Sequence, residues 1–352
     1  MSDFFSKILR SLNIAVIFLT FGAYLAPYIS PQTTWFFAIF GLFYPVLLAV
    51  NIIFFLFWLW RKKWYCLYSL GCILLGWTHL TGLMGFNLSQ PKPKEPLTVV
   101  SYNSHGFTKL FYRKKDNTPE QKAFKKRLEK KVGKVEILCL QEFSAYRNTV
   151  EKIKVLLNLP HFEKYDGRGT AIFSKYPILK KGEIKFENTG NSCLWLDVEI
   201  DRKTVRIYSI HFESSKISTD AAALKEDANL RDKKTWQGIR GILGKYKRST
   251  NTRVDQMLTV KEHISNTPHP VIVCGDFNDT PVSYVYQQMS QGLCDHFKEA
   301  GRGWGATYNG SIPMLRIDYI FTRPENFKVY EHGILKEDYS DHYPVYSQLK
   351  LK

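Results

Sequence analysis

The sequence predicts an α/β domain whose sheets are covered by helices, preceded by an apolar segment that lies in a membrane. Two observations indicate this organisation. Residues 11–60 and 64–91 contain no Asp, Glu, Lys or Arg, so the charge is confined to the rest of the chain. After residue 96, short apolar runs typical of strands alternate with charged stretches typical of helices.

The apolar segment contains three runs that are each long enough to cross a bilayer, which takes about 20 apolar residues per helix. The runs cover residues 12–29, 35–60 and 64–86. Tryptophan and tyrosine flank the basic cluster at residues 61–63, as aromatic residues do at membrane interfaces. A signal peptide explains only the first run. We therefore predict a multi-pass anchor, residues 1–88, in the cell inner membrane.

The basic residues near the runs predict the orientation of the anchor, because short cytoplasmic loops are enriched in Lys and Arg. Lys7 and Arg10 precede the first run, the basic cluster separates the second from the third, and the loop near residue 30 is uncharged. The C-terminal domain is then outside the cytoplasm. Lys92 and Lys94 oppose this assignment, and the six cysteines without disulfide spacing fit a reducing compartment better.

Residues 89–96 form a short Pro/Lys linker, and residues 97–352 form the α/β domain. Its strand candidates are residues 97–102, 135–140, 170–173, 193–200, 204–210, 271–274, 317–321 and 345–349. Its helix candidates are residues 119–131, 148–157, 254–263 and 283–291. The basic stretch 213–252 interrupts this pattern, either as a solvated helical insertion or as a lid or anionic-surface contact.

Of the net charge of +17, residues 87–352 carry +13 and residues 1–86 carry +4. A domain this basic favours anionic partners: nucleic acid, anionic lipid headgroups or phosphorylated small molecules. A generally basic surface without a specific partner is the alternative. We infer no protein partner.

Polar residues with the chemistry for phosphate-ester hydrolysis follow the predicted strands. Glu142 follows the apolar run at residues 137–140, and Asn103 and His211 end two other strands. A carboxylate at a sheet edge is a suitable oxygen ligand for Mg²⁺, and Asn103 can help to hold the same ion. His211 is a candidate donor to a phosphate oxygen. Glu142 or Asn103 taken alone is more often an ordinary polar loop residue.

The motif Gly-Asp-Phe-Asn at residues 275–278 follows another apolar strand. Asp276 can orient and deprotonate a water molecule, and the Asn278 amide can donate to phosphate. Near the C-terminus, Asp318 can pair with His342 and raise its pKa, so that a protonated His342 stabilises phosphate charge. Asp341 is a candidate metal or water ligand.

The order of these motifs resembles the endonuclease/exonuclease/phosphatase superfamily. The series is Ser-Tyr-Asn at 101–103, Leu-Gln-Glu at 140–142, Ser-Ile-His-Phe at 209–212, Gly-Asp-Phe-Asn at 275–278, Arg-Ile-Asp-Tyr-Ile at 316–320 and Ser-Asp-His at 340–342. The resemblance covers about residues 97–352. It implies a four-layer α/β sandwich with two packed sheets and a metal-dependent phosphodiesterase or phosphatase.

The resemblance also implies roles for the candidate residues. Asn103 and Glu142 match metal-site positions, and Asp341 matches a metal or water ligand. Asp276 matches the water-orienting aspartate, while Asn278 and His211 match phosphate contacts. Asp318 and His342 match the carboxylate–histidine pair. The implied cofactor is Mg²⁺, with Mn²⁺ as the substitute.

These features predict a nuclease-like phosphodiesterase held at the membrane. A phospholipid or sphingolipid headgroup phosphodiesterase or phosphatase is the alternative, and a catalytically inactive binding module is a weaker one because no candidate ligand is missing. The basic domain suits nucleic acid, whereas the anchor suits lipid. The sequence gives no connection between anchor and site, so we expect the two to be independent.

Overall fold

The structure is a computed structural model that describes residues 3–111, 114, 118–144, 147–165, 169–187, 189–215, 217, 220, 232–310, 312 and 314–352. Most of residues 216–231, within the predicted basic insertion, lie outside the described residues. The helices are α1 Asp3–Leu25, α2 Pro31–Thr34, α3 Phe36–Leu42, α4 Tyr44–Trp60, α5 Cys66–Leu75, α6 Trp77–Leu83, α7 Thr108–Phe111, α8 Pro119–Val132, α9 Arg147–Leu157, α10 Lys233–Ser265, α11 Tyr284–Met289 and α12 His296–Ala300.

The described strands are β1 Met84–Phe86, β2 Leu97–Asn103, β3 Ile137–Phe143, β4 His161–Lys164, β5 Gly169–Ser174, β6 Ile178–Lys185, β7 Ser192–Ile200, β8 Lys203–His211, β9 Val271–Asp276, β10 Cys294–Asp295, β11 Arg302–Trp304, β12 Asp318–Thr322, β13 Phe327–Ile334 and β14 Val345–Leu351.

The N-terminal helices contain one helix, α1, that is long and apolar enough to cross a membrane. The pair α3–α4 is bent by 60° and the pair α5–α6 by 73°, so the number of candidate spans is one, or up to three if each bent pair is one span. The first bend fits Pro45, which lacks an N–H and so cannot continue the hydrogen bonds of a preceding turn. The predicted number of three spans stays a prediction.

Buried polar side chains hold α1 against α4 and α5. The Asn13 amide donates to Ser69 Oγ at 2.8 Å, and the Asn51 amide donates to Thr20 Oγ1 at 2.9 Å. The Tyr24 hydroxyl donates to a backbone oxygen of α5 at 2.8 Å. Such bonds between apolar helices satisfy groups that lipid cannot, and they fix which faces meet.

Two six-stranded mixed sheets form the rest of the fold, which confirms the predicted α/β class with two packed sheets. Their strand orders are β13-β14-β2-β3-β5-β4 and β10-β12-β9-β8-β7-β6. Each sheet contains one parallel pair, β2–β3 in the first and β8–β9 in the second. The motifs lie at the ends of β2, β3, β8 and β9 and at the starts of β12 and β14, so they come from both sheets.

The core has three layers because side chains alternate between the two faces of each strand. Val99 and Ile272 belong to the layer between the sheets, whereas their neighbours Val100 and Val273 face outwards. Helices α8 and α9 cover the outer face of the first sheet, and α10 and α11 cover that of the second. Buried apolar contact on both faces of both sheets is the main stabilising term of the fold.

The N-terminal helices dock directly on the α/β domain. Strand β1 pairs antiparallel with β11, so the helix of the third predicted span ends at Leu83 and its last residues form a strand. Arg316 donates from Nε to the Gly82 oxygen at 2.7 Å, and Thr280 donates from Oγ1 to the Gly41 oxygen at 3.3 Å. The linker at residues 89–96 is thus preceded by a segment already paired with the domain.

Candidate active site

The candidate residues converge on one edge of the paired sheets. Strands β2 and β3 are parallel and place Asn103 opposite Gln141, and the parallel strands β8 and β9 place His211 opposite Asp276. Strand β12 runs antiparallel to β9 and begins with Asp318 opposite Asp276. The ends of four strands and the start of a fifth therefore meet at this edge.

Local backbone features aim the side chains at the edge. The register of β3 shifts between Leu140 and Phe143, and a shift of this kind re-aims side chains at functional sites. Glu142 and Asn278 have φ values of 52° and 51°, a region uncommon for residues with a side chain. A glycine is required at position 275 because of a close backbone approach and not because of its φ value. A Cβ atom there would overlap the Ile210 backbone oxygen.

Asp276 lies at the centre of a buried carboxylate–amide cluster. The Asn103 amide donates from Nδ2 to Asp276 Oδ2 at 2.9 Å and to Glu142 Oε1 at 3.3 Å. Burial raises the pKa of Asp276 to about 6, against the lowering effect of His342 and His211. A carboxyl with a pKa near the working pH can accept a proton from a bound water molecule.

His342 lies between two carboxylates. Its Nδ1 donates to Asp318 Oδ2 at 3.0 Å, and its Nε2 lies 3.7 Å from Asp276 Oδ2. Burial lowers the pKa of His342, but Asp318 and Asp276 outweigh burial and raise the pKa to about 10. The ring is therefore an imidazolium at neutral pH, held in orientation by Asp318.

One oxygen-rich part of this cluster fits a divalent cation. Ligand atoms of Asp276, Asp318 and His342 lie within 4.8 Å of one another. A histidine that carries both protons has no free lone pair, however, which argues against His342 as a ligand. Hard cations prefer carboxylate and amide oxygens. Glu142 offers carboxylate oxygens beside Asp276, whereas Asn103 points its Nδ2 at both carboxylates and its Oδ1 accepts from the His105 N–H at 3.4 Å.

The remaining predicted residues surround the cluster. His211 Nε2 is buried without a hydrogen-bond partner among the described residues and lies 3.8 Å from Asp276 Oδ2, so it is available to a substrate oxygen. Asn278 donates from Nδ2 to the Phe212 oxygen at 2.9 Å, and a phosphate oxygen would have to exchange with that acceptor. Asp341 is exposed at the rim, where Ser340 donates to its Oδ1 at 3.2 Å.

Several residues of the cleft were not predicted from the sequence. His105 Nδ1 lies 3.4 Å from Glu142 Oε2, and the Tyr308 ring lies edge-on to His342 with centroids 5.2 Å apart. The position of His105, two residues after Asn103, is the one signal that pointed to it. Leu42 of α3 also lines the cleft, so the expectation that anchor and site are independent is wrong.

The cleft has a volume of about 540 Å³. Its polar lining residues include three histidines and five carboxylates. The described residues that line it are Leu42, His105, Glu142, Gly190, Asn191, His211, Glu213, Ser214, Ser215, Ile217, Tyr246, Asp276, Asn278, Asp279, Tyr308, Ile312, Leu315, Ile317, Asp341 and His342.

Two family models match the chain. That of the Endonuclease/Exonuclease/phosphatase family matches residues 100–342, and that of a domain of unknown function, DUF8431, matches residues 6–83. A search of curated proteins gives no match.

Three solved structures are similar to this chain at low sequence identity. D. rerio TDP2 complexed with single strand DNA product is 19% identical, over 73% of this chain and 100% of that chain, with a TM-score of 0.50. Bacteroides thetaiotaomicron mannosyl-6-phosphatase Bt3783 is 19% identical, over 72% and 99%, with a TM-score of 0.47. The human Nocturnin catalytic domain with bound sulfate is 16% identical, over 74% and 97%, with a TM-score of 0.48.

Proposed function

The chain belongs to the Endonuclease/Exonuclease/phosphatase family, whose members are metal-dependent phosphoesterases and nucleases, and we propose that Asp276, His342 and Glu142 carry its hydrolysis of a phosphate ester at a membrane. The observation that supports these roles is the opposition of Asp276 and His342. One is a carboxyl with a raised pKa and the other an imidazolium, and they face each other across 3.7 Å.

In this proposal Asp276 is the base. Its carboxylate orients a water molecule toward phosphorus and accepts the proton, while the Asn103 amide holds Oδ2 in place. His342 binds a non-bridging phosphate oxygen and stabilises the negative charge that grows in the transition state. Asp318 keeps the ring protonated and oriented. His211 donates a second hydrogen bond from Nε2 to phosphate.

Glu142 and Asn103 are the proposed holders of a divalent cation, Mg²⁺ or Mn²⁺, with Asp341 at the rim as a further ligand. When bound, such an ion would supply positive charge that neutralises the phosphate oxygens. Asn278 is assigned to the same phosphate, since its amide lies beside Asp276. The alternative of an inactive binding module is disfavoured because the proposed base, imidazolium and cation ligands all lie at one edge.

A hydrolysis assay on the full chain in detergent tests this proposal. Bis(p-nitrophenyl) phosphate and p-nitrophenyl phosphate, with Mg²⁺ or Mn²⁺, are the probes. We expect Asp276→Asn to lower kcat by about 10²–10⁴-fold. Asp201→Asn, a change of the same type at an exposed turn, leaves kcat unchanged. Hydrolysis that persists in Asp276→Asn and in chelator contradicts the proposal.

We also propose that the chain is held in the cell inner membrane by the N-terminal helices, with the site on the extracytoplasmic side. The support is the apolar helix α1 together with the basic cluster at residues 61–63. A C-terminal reporter that is active only outside the cytoplasm tests the side. A silent reporter on a well-expressed chain reverses it.

The sequence leaves two substrate classes open. The net charge of +17 favours a nuclease-like phosphodiesterase, and the anchor favours a phospholipid or sphingolipid headgroup ester. The contact of Leu42 with the cleft is a specific observation in favour of the second class.

A further inference from the structure

The cleft that holds Asp276 and His342 is closed on one side by the anchor. Leu42, the last residue of α3, lines it directly. The preceding Gly41 packs so closely on the loop after the Gly-Asp-Phe-Asn motif that a Cβ atom would overlap the Val282 backbone oxygen. Thr280 of the same loop donates to the Gly41 oxygen. The position of Leu42 is therefore fixed by the backbone that carries the proposed base.

The cleft has an apolar side and a side that carries the proposed catalytic residues. Leu42, Leu315 and Ile317 line it together with Asp276 and His342. Leu315 and Ile317 are nearly fully buried, so the apolar side is part of the packed structure. An apolar wall beside phosphate-binding groups suits an ester whose alcohol part carries a hydrocarbon chain.

The charges of the cleft disfavour a long polyanion. Although the chain carries a net charge of +17, none of the described residues that line the cleft is Lys or Arg. Nucleic-acid sites depend on Lys and Arg contacts to successive phosphates, and most of the affinity comes from them. A cleft lined by five carboxylates and three histidines suits one phosphate group that arrives with a cation.

The apolar side continues onto the surface of the anchor. Phe43 and Val46, the next exposed residues along the chain after Leu42, each expose 43% of their surface. Both belong to the bent pair α3–α4 that is a candidate span. A hydrocarbon chain that passes Leu42 can therefore leave the cleft over exposed apolar residues of this pair.

A basic stretch of α10 lies beside the same part of the anchor. Tyr246 lines the cleft and donates to the Ala38 oxygen at 2.8 Å. Leu243, about one helical turn before Tyr246, is 37% exposed, and Trp236, about three turns before it, is 57% exposed. Lysine and arginine residues lie near both in the sequence. Exposed Trp and Leu on a basic helix are typical of the headgroup region of a membrane. In the proposal below, the cleft lies at this depth.

We propose that the substrate is the phosphate ester of a lipid. Its phosphate binds to His342, beside the water molecule that Asp276 orients, and its hydrocarbon chain lies along Leu42 and leaves the cleft over Phe43 and Val46 into the bilayer. This inference rests on the proposed function, since it assigns the substrate of the same site.

Pairs of esters that differ only in the hydrocarbon chain test the inference. Dioleoyl phosphatidic acid is compared with glycerol 3-phosphate, and dioleoyl phosphatidylglycerol with glycerophosphoglycerol, on the full chain in detergent micelles with Mg²⁺. Plasmid DNA is a further substrate. We expect kcat/KM for at least one lipid ester to exceed that of its short counterpart at least about ten-fold, because burial of methylene groups adds to binding.

The variant Leu42→Ala tests whether the preference for lipid esters depends on contact with Leu42 or only on the presence of enzyme and lipid in the same micelle. We expect it to reduce the lipid preference about three- to ten-fold, mainly through KM. Leu56→Ala, at a 54% exposed position of α4, is the matched control and keeps the full preference. A lipid preference that is equal in the two variants overturns the assignment of Leu42.

The remaining outcomes distinguish this inference from the proposed function. Equal or faster hydrolysis of the short esters or of DNA, still dependent on Asp276, overturns the lipid substrate and leaves the phosphoesterase in place. Absence of hydrolysis on every ester and on the nitrophenyl probes overturns the proposed function, and the lipid inference with it.

Discussion

His342 Nε2 lies 3.7 Å from Asp276 Oδ2, while Nδ1 of the same ring is bound to Asp318 at 3.0 Å. A histidine with a pKa raised to about 10 thus faces a carboxyl with a pKa raised to about 6. Burial raises the second value, and the neighbouring carboxylates overcome burial to raise the first. Between these two values the base is ionised and the imidazolium is charged at the same time.

The pH dependence of hydrolysis follows from this pair. Activity falls below pH 6 as Asp276 becomes protonated and falls above pH 10 as His342 loses its proton. A bound cation favours the carboxylate, so we expect the acid limb at or below pH 6. Asp318→Asn removes the largest charge that raises the His342 pKa, and the alkaline limb should move toward the ordinary histidine value of about 6.5. An alkaline limb that does not move in this variant contradicts the role of Asp318.

Glu142→Gln should weaken the binding of the divalent cation. The amide keeps the shape of the side chain but removes one negative charge from the proposed site. We expect the Mg²⁺ concentration for half-maximal activity to rise about 10–100-fold. Glu199→Gln, an exposed glutamate of β7, is the control and should leave this concentration unchanged. An equal Mg²⁺ requirement in the two variants places the cation elsewhere.

Asp295→Asn should destabilise the fold. The Asp295 carboxylate accepts two bonds from the buried Arg316 guanidinium, at 2.6 and 3.1 Å. Burial opposes ionisation, but Arg316 holds the pKa of Asp295 well below its usual range. Its contribution to stability is therefore present above the ordinary value of about 3.9 and is lost as pH falls below it.

We expect the loss of one partner to cost about 3–5 kcal/mol of unfolding free energy, because a buried charge is left unpaired. Glu163→Gln, which breaks a more exposed pair with Lys181 at 2.7 Å, should cost less than about 1 kcal/mol. Thermal unfolding of the full chain in detergent measures both. Similar melting temperatures in the two variants would show that the buried pair is not stabilising at its position.

Gly41→Ala tests the contact between anchor and site. The added Cβ atom overlaps the Val282 oxygen, so α3 or the loop must shift, and the shift reaches Leu42 and the residues after Asn278. We expect lower hydrolysis and a lower melting temperature. Gly71→Ala in α5 is the matched control, since a Cβ atom there meets nothing within 4 Å. Unchanged activity in Gly41→Ala indicates that the loop adapts.

The strand ends were predictable because each follows a continuous apolar run. Asn103, Asp276 and their neighbours stand at the point where such a run stops, and the order of the motifs shows which runs belong together. The roles of these residues stay predictions. The edge strands could not be predicted from the sequence. Strand β6, for example, is mostly exposed and contains three lysines, so it shows no alternation of apolar and polar residues.

Contacts between distant parts of the chain were also beyond the sequence. The first half of α10 has little apolar pattern, and the stretch 213–252 was predicted only as a solvated helical insertion or as a lid or anionic-surface contact. In the structure Tyr246 of this half is buried and bonded to Ala38, more than two hundred residues away. Leu42 gives no sign in the sequence that it reaches the cleft, because that depends on the docking of α3.

The pairing of β1 with β11 has a consequence for how the protein can be divided. Residues Met84–Phe86 are hydrogen-bonded to Arg302–Trp304, and Arg316 is bonded to Gly82. The linker at residues 89–96 is then a loop whose two ends are both bonded to the α/β domain. It is not a flexible tether between two independent parts. A protease that cuts there would leave two fragments still joined. Conversely, a recombinant fragment that begins at residue 90 would lose a strand, a guanidinium acceptor and one wall of its own cleft.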